Sequence, residues 1–264
     1  MKPIIPDAFR LQKKWQITCP GSGSTGIQIS KILDNIDIIP HMSSKEAIGP
    51  RNPAPQSEVI VHVDSQERGS YEDAVYRAVH EMMELAVSPG ERDTFGNIVV
   101  LNCKYGLELI ALRYFAGSRP VITGVETRSD YFRGINGEHL QRIADLADTT
   151  IYQADDRNPS EVVELTGGPD LIIIRHPFTR YGNVSQGISD LAPWMKYAAD
   201  RGTPMVATFY DVEADLAGRF RDRAALIAGS DRVRQMEKDK PSASYLDTDS
   251  GTVIVPDFHI VRIN

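Results

Sequence analysis

A three-layer α/β sandwich is predicted for this chain, with a mostly parallel seven-stranded sheet that ends in an antiparallel hairpin. A smaller irregular N-terminal region precedes it. Three observations predict this. From residue 97 onward, short apolar runs alternate five times with segments of helical period, and that order builds a parallel sheet with helices on both faces. The runs are rich in β-branched residues, as in N-I-V-V-L-N from Asn97 and D-L-I-I-I-R from Asp170, which suits buried strands. After the fifth pair the chain ends on two strand-like runs, within Ala243 to Asn264, around the turn Asp249-Ser250-Gly251.

Residues 1–92 form the N-terminal extension. Pro3, Pro6, Pro20, Pro40, Pro50, Pro53 and Pro55 punctuate its short apolar runs, and Gly21 to Gly26 (G-S-G-S-T-G) has a linker composition. A phosphate-cradling loop needs Lys and then Ser or Thr after its last glycine; Ile27 and Gln28 stand there. Ile27 to Leu33 and Glu58 to Asp64 have the composition of strands, the second carrying His62, which is read as structural. A helix is expected over about 71–87, opened by the capping pair Ser70 and Asp73, with Tyr71, Ala74, Val75, Ala78, Met82 and Leu85 on one face. It stops at Ser88-Pro89-Gly90. His80 and Glu81 are adjacent and so diverge on a helix, and no metal constellation is visible.

Residues 93–264 form the α/β domain. Its expected strands are Asn97 to Asn102, Pro120 to Glu126, Thr150 to Asp155, Asp170 to Arg175 and Pro204 to Tyr210. The helices between them are Gly106 to Phe115, a stretch from Ser129 interrupted by Gly134 and Gly137, Asn158 to Leu165, Ser185 to Asp200 and Val212 to Ala228. Asn158 and Pro159 are a cap and a first-turn proline. The mixed charges of Arg219 to Arg223 and Arg232 to Lys240 read as solvated helix faces, with a phosphate-binding patch as the alternative.

The 264 residues are 41% hydrophobic and 25% charged, with a net charge of -7. The balance excludes a disordered chain, and the acidity argues against broad nucleic-acid binding. No run approaches the roughly 20 apolar residues of a membrane span. The N-terminal stretch lacks the apolar core and cleavage site of a secretory leader. Cys19 and Cys103 lie far apart, so a reducing, cytoplasmic compartment is expected.

Ligands of such sheets bind outside the carboxyl ends of the strands, near the switch in strand order. The strand ends supply Asn102 to Gly106, Glu126 to Arg128, Asp155 to Arg157, Arg175 to Phe178, and Tyr210, Asp211 and Glu213. Glu126 holds the place of the acid that grips ribose hydroxyls, unless it is a solvated loop residue. Asp155 or Asp156 can accept from an adenine amino group or can form a helix-entry cluster.

These segments resemble the class I S-adenosylmethionine-dependent methyltransferase fold. V-I-T-G-V-E-T-R-S-D-Y-F from Val121 is similar to the family's second strand ending in an acid. Y-Q-A-D-D from Tyr152 resembles the third, and G-P-D-L-I-I-I-R-H-P-F from Gly168 the fourth. The resemblance implies S-adenosylmethionine as cofactor, held by candidates Asn102, Cys103, Gly106, Glu126, Thr127, Asp155, Asp156 and Arg175, and a small-molecule or protein acceptor. The first loop departs from the family's G-x-G-x-G: Asn102 and Lys104 stand at two glycine places and only Gly106 remains. Arg175-His176-Pro177-Phe178 lacks the Asp or Asn of the base and glutamine methylases. His176 is a candidate general base, or else a hydrogen-bonded strand-end residue. Arg175 is expected to pair with Asp155, Asp156 or Glu126. The helix after Ser70 is expected to pack near the first strand and cover the pocket. A catalytically silent domain that binds a partner, as a homo- or hetero-oligomer, is the alternative, and an aminopropyl-transfer relative a third.

Overall fold

Continuous β-branched runs bury on both faces, and here they line up into one sheet. The computed structural model describes residues 47–51, 71–177, 184–239, 241, 244–247 and 252–264. In chain order the elements are β1 (Ala47–Ile48), α1 (Tyr71–Ala86), α2 (Pro89–Arg92), β2 (Asn97–Leu101), α3 (Leu107–Ala116) and β3 (Val121–Glu126). Then come α4 (Gly134–Ala147), β4 (Thr150–Gln153), α5 (Pro159–Thr166), β5 (Leu171–Arg175), α6 (Val184–Arg201) and β6 (Met205–Phe209). The chain closes with α7 (Ala214–Ala228), β7 (Val233–Glu237), β8 (Tyr245–Asp247), β9 (Thr252–Ile254) and β10 (His259–Ile263).

The main sheet runs β1-β4-β3-β2-β5-β6-β10-β7. Strands β4, β3, β2, β5 and β6 are mutually parallel. β10 inserts antiparallel between β6 and β7. The chain leaves β2 toward β3 on one side and returns to β5 on the other, so the strand order switches at the β2–β5 seam, the place where such sheets bind ligands. This is the expected mostly parallel sheet with an antiparallel end. The two residues of β1 add an eighth, edge strand against β4.

Alternate residues of each strand feed opposite cores, as the pleat requires. Ile98, Val100, Ile122 and Ile173 pack under α1, α3 and α4. Val99, Leu101, Ile172 and Ile174 pack under α5, α6 and α7. The buried stripe of α1 is Val75, Val79, Met82, Met83 and Ala86. Leu85, expected on that face, is 45% exposed, because the stripe follows the 3.6-residue period through Met83 and Ala86 instead. The helix packs on α3 in the same core as β2, as expected.

Two expectations are corrected. Residues 233–237, read as part of a solvated helix face, form β7 and pair with β10. Tertiary pairing overrides the mixed charge there, and charges on an edge strand discourage further pairing. The strands flanking Asp249-Ser250-Gly251 are not the end of the main sheet: β8 and β9 make a separate two-stranded ribbon. The strands expected at Ile27 to Leu33 and Glu58 to Asp64, the Ser70 cap and Phe178 lie outside the described residues.

Opposite the strand carboxyl ends, β10 is tied to the short helix α2. The Ser88 amide and hydroxyl both donate to Glu91, and the Arg262 guanidinium donates to Glu91 and to the Ala86 carbonyl. The Arg262 hydrogen bond is the main reason the Glu91 carboxyl is pulled down to about 2. The stability it contributes is therefore complete above the ordinary glutamate range and lost as the pH falls toward 2. Thermal melts of wild type and Arg262→Gln from pH 7 to pH 2.5 check this. The variant melts lower at pH 7, and the gap narrows below about pH 4.5.

Candidate functional site

The loop from β2 to α3 lies over the seam and sets the site's shape. Its backbone is left-handed at Asn102 (φ 56°), Lys104 (φ 48°) and Gly106 (φ 74°). Glycine takes that conformation without steric cost; Asn tolerates it, and Lys pays more. So the loop keeps the backbone form that suits glycine at the two places where side chains now stand. A close approach explains why the β3 sequence carries Gly124: a Cβ there would lie 2.9 Å from Cys103 Sγ and 3.0 Å from Leu109 Cδ1. The loop thus presses directly onto β3, with the Cys103 amide donating to the Val125 carbonyl.

Glu126 holds this loop from below. It is fully buried, and its carboxylate accepts the backbone amides of Lys104 and Arg128, each at 2.9 Å. It bridges the loops that follow β2 and β3. The neighbouring shelf carries the other acids. The Asp155 carboxylate accepts from the Arg157 side chain at 2.8 and 2.9 Å. Thr127 Oγ1 accepts the Asp156 amide at 3.3 Å, and the Trp194 indole donates to the Asp156 carbonyl at 2.6 Å. Burial is the main cause that pushes the Asp156 carboxyl up to about 6.

On the other side of the loop, β5 ends in Arg175 and His176. The Arg175 Nε donates to both Asp257 oxygens at 2.9 and 3.0 Å, and its Nη2 donates to Oδ2 at 2.6 Å. The expected pairing with Asp155, Asp156 or Glu126 is thereby corrected. Those acids sit across the loop, whereas Asp257 arrives beside β5 on the turn before β10. The Thr208 hydroxyl donates to the same carboxylate, and Glu108 lies 3.9 Å from Arg175. Burial raises the Asp257 carboxyl, but the Arg175 charge and its hydrogen bonds outweigh it and hold the group below its ordinary range. Burial is likewise the main cause that keeps His176 neutral, well below the usual imidazole value. The imidazole stacks on Tyr210, rings 3.7 Å apart and 9° from parallel.

Asn102, Lys104, Tyr105, Leu107, Glu108, Arg175, His176 and Tyr210, with Val75 from α1, line a cavity of about 50 Å³. The Asn102 side chain is 3% exposed, and neither its oxygen nor its nitrogen has a hydrogen-bond partner among the described residues. A buried amide left so costs several kcal/mol less when a ligand or water completes it. Backbone strain gathers at the same place. Of the five non-glycine residues with left-handed φ among the described residues, Asn102, Lys104 and His176 line this cavity, and Asp257 lies behind its Arg175 and His176 wall. The fifth, Asp148, caps the C-terminus of α4. Strain of this kind concentrates at functional sites.

Of the residues singled out from the sequence, Asn102, Arg175 and His176 therefore meet in one cavity. Glu126 and Cys103 lie under its loop, Gly106 starts α3, and Thr127, Asp155 and Asp156 form the adjoining shelf. Sequence reasoning missed Asp257, Thr208 and Glu108. The one signal was a lone acid within the apolar run V-P-D-F-H. Among the described residues no group of His, Cys, Asp and Glu could hold a metal ion, and no helix is long and apolar enough to cross a membrane. Gly124→Ala, made in a Cys19→Ser background, is expected to lower stability by about 1–3 kcal/mol. It also exposes Cys103, read as faster reaction with a thiol reagent.

No protein-family model matches the sequence, and no curated protein matches it. Solved structures similar to it include Aeropyrum pernix fibrillarin, in complex with natively bound S-adenosyl-L-methionine, at 15% identity and TM-score 0.45 over 72% of this chain and 76% of that one. An O-methyltransferase from Bacillus cereus in complex with SAH is 14% identical, with TM-score 0.42 over 78% and 94% of the two chains. Precorrin-6y C5,15-methyltransferase from Geobacter metallireducens is 12% identical, with TM-score 0.45 over 72% and 86%. Likeness at this level carries no function across, and the fold stands on the order and direction of the strands themselves. Five parallel strands in the order β4-β3-β2-β5-β6, closed by antiparallel β10 and then β7, give this chain a class I methyltransferase-like fold.

Proposed function

We propose that the chain is an S-adenosylmethionine-dependent methyltransferase acting on a small-molecule or protein acceptor. The observation that carries the proposal is the loop 102–106: a left-handed backbone clamped by Glu126, beside a buried Asn102 amide that needs a polar partner. Those residues fit a nucleoside cofactor. The Asn102 amide and the loop would hold its amino-acid end, and Thr127 with Asp155 or Asp156 would meet the base. When bound, the cofactor supplies an electrophilic methyl group on a sulfonium, and such transfer needs in-line positioning more than acid–base help. Glu126 acts by fixing the loop that shapes the site. His176 and Tyr210 form the opposite wall, where an acceptor would lie.

A second reading, a catalytically silent domain that binds a partner protein, is favoured by one feature. The cavity holds about 50 Å³, against roughly 300 Å³ or more for a site that buries a small-molecule ligand. Isothermal titration with S-adenosylmethionine and S-adenosylhomocysteine separates the two. Micromolar binding, about -8 kcal/mol, that weakens at least tenfold in Glu126→Ala supports the first reading. No heat at millimolar ligand overturns it in favour of the second.

The acid that meets the base can be found from pH dependence. A carboxylate accepting from an amino group binds in its ionised form, and Asp156 ionises near pH 6. If Asp156 is that acid, affinity rises about tenfold from pH 5 to pH 7.5, and Asp156→Asn abolishes the rise. An affinity that stays flat over this range and falls in Asp155→Asn assigns the contact to Asp155.

A further inference from the structure

We propose that Asp257 is a positioning residue that acts through His176. It fixes the imidazole in the tautomer carrying its proton on Nε2, which makes Nδ1 the hydrogen-bond acceptor of a ring that lines the cavity. For its substrate this rests on the methyl-transfer reading above; for its geometry it does not.

Asp257 Oδ1 lies 3.4 Å from His176 Nε2. The carboxylate is fully buried and ionised through Arg175 and Thr208, so it can only accept. A nitrogen held against it is favoured when it carries a proton and repelled when it presents a lone pair. In neutral imidazole the other nitrogen is then the acceptor. The contact is longer than a formed hydrogen bond, as catalytic contacts often are before a ligand closes the site.

The ring has little freedom to choose otherwise. Stacking on Tyr210 fixes its plane. The backbone of both partners is left-handed, at 47° for His176 and 53° for Asp257. Such conformations persist only where the surroundings hold them. Neutralising Arg175 explains a carboxylate near β5, but it does not explain a strained histidine turned against the same carboxylate. The charged groups around the ring come from every neighbouring element: Arg175 on β5, Lys104 after β2, Lys238 after β7 and Asp257 before β10. Glu108 of α3 stands beyond Arg175. Burial among them keeps the imidazole neutral throughout the neutral range, so one ring nitrogen presents a lone pair as a hydrogen-bond acceptor.

The test is long-range proton–nitrogen correlation NMR of the full-length, nitrogen-15-labelled protein at pH 7.5, with His176 assigned by difference from His176→Asn. The wild type is expected to show an unprotonated Nδ1 and a protonated Nε2. In Asp257→Asn, whose amide can turn a donor toward the ring, the Nε2–H form is expected to fall to about half or less. A wild-type spectrum with the proton on Nδ1 overturns the proposal, whether or not the variant folds. So does a folded Asp257→Asn protein with the wild-type pattern, since a merely structural acid would leave the tautomer unchanged. Titration of the same wild-type sample with S-adenosylmethionine reads the methyl-transfer hypothesis separately. Absent binding beside the expected tautomer sinks that hypothesis and leaves the positioning role, and binding beside the opposite tautomer does the reverse.

Discussion

A carboxylate with no solvent contact must be matched by donors, and Asp257 is matched by groups from two adjacent strands. Arg175 at the end of β5 and Thr208 near the end of β6 both point their donors at it. Asp257 itself stands at the entry to β10, which pairs with β6. The ion pair therefore joins the parallel half of the sheet to its antiparallel end at the level of the site. Removing one partner from a buried pair of this kind typically costs about 3–5 kcal/mol, because the other charge is left unmatched. The constraint also fixes which way the end of β5 turns, and hence where His176 can lie.

The loop on the other side of the cavity shows that a backbone form suited to glycine can carry other side chains. Left-handed residues at 102, 104 and 106 let the chain turn sharply onto β3, and Glu126 secures the turn by accepting the Lys104 amide. With glycine at all three places the turn would leave open space. With Asn and Lys at two of them, the same turn fills part of that space with an amide and an ammonium stem. The turn is the one glycine would make, and the cavity it bounds is small and polar.

Much of this was legible in the sequence because it depends on local pattern. N-I-V-V-L and L-I-I-I-R could only be buried strands, and their order with the helices fixed the direction of the parallel sheet. Glu126 was found because position after a strand implies placement at a strand end. What was not legible depends on pairing across long separations. Residues 233–237 carry two charges in five positions and become a strand only because β10 offers them a partner. Asp257 is 82 residues from Arg175, and nothing near either residue announces the other. The left-handed loop was half legible: the missing glycines were visible, but not that the backbone would keep their conformation without them.

The walls of the cavity differ in how easily they can give way. Val75 belongs to α1, and α1 is held twice over. Its apolar stripe is buried against α3 and β2, and at its flank the buried Lys238 donates to the Ala78 carbonyl at 3.1 Å and pairs with Glu81 at 3.0 Å. Moving the helix would expose that stripe and strand a buried ammonium, two of the costliest changes open to a folded chain. The Arg175–Asp257 side is fixed for the same reason. Lys104 is different: it sits on the loop and is only partly buried, so its side chain can turn with little loss of packing. Any widening of the cavity therefore falls first on Lys104, which stands at one of the loop's left-handed positions. The setting of that one side chain separates a cavity that admits a ligand from one that is closed to it.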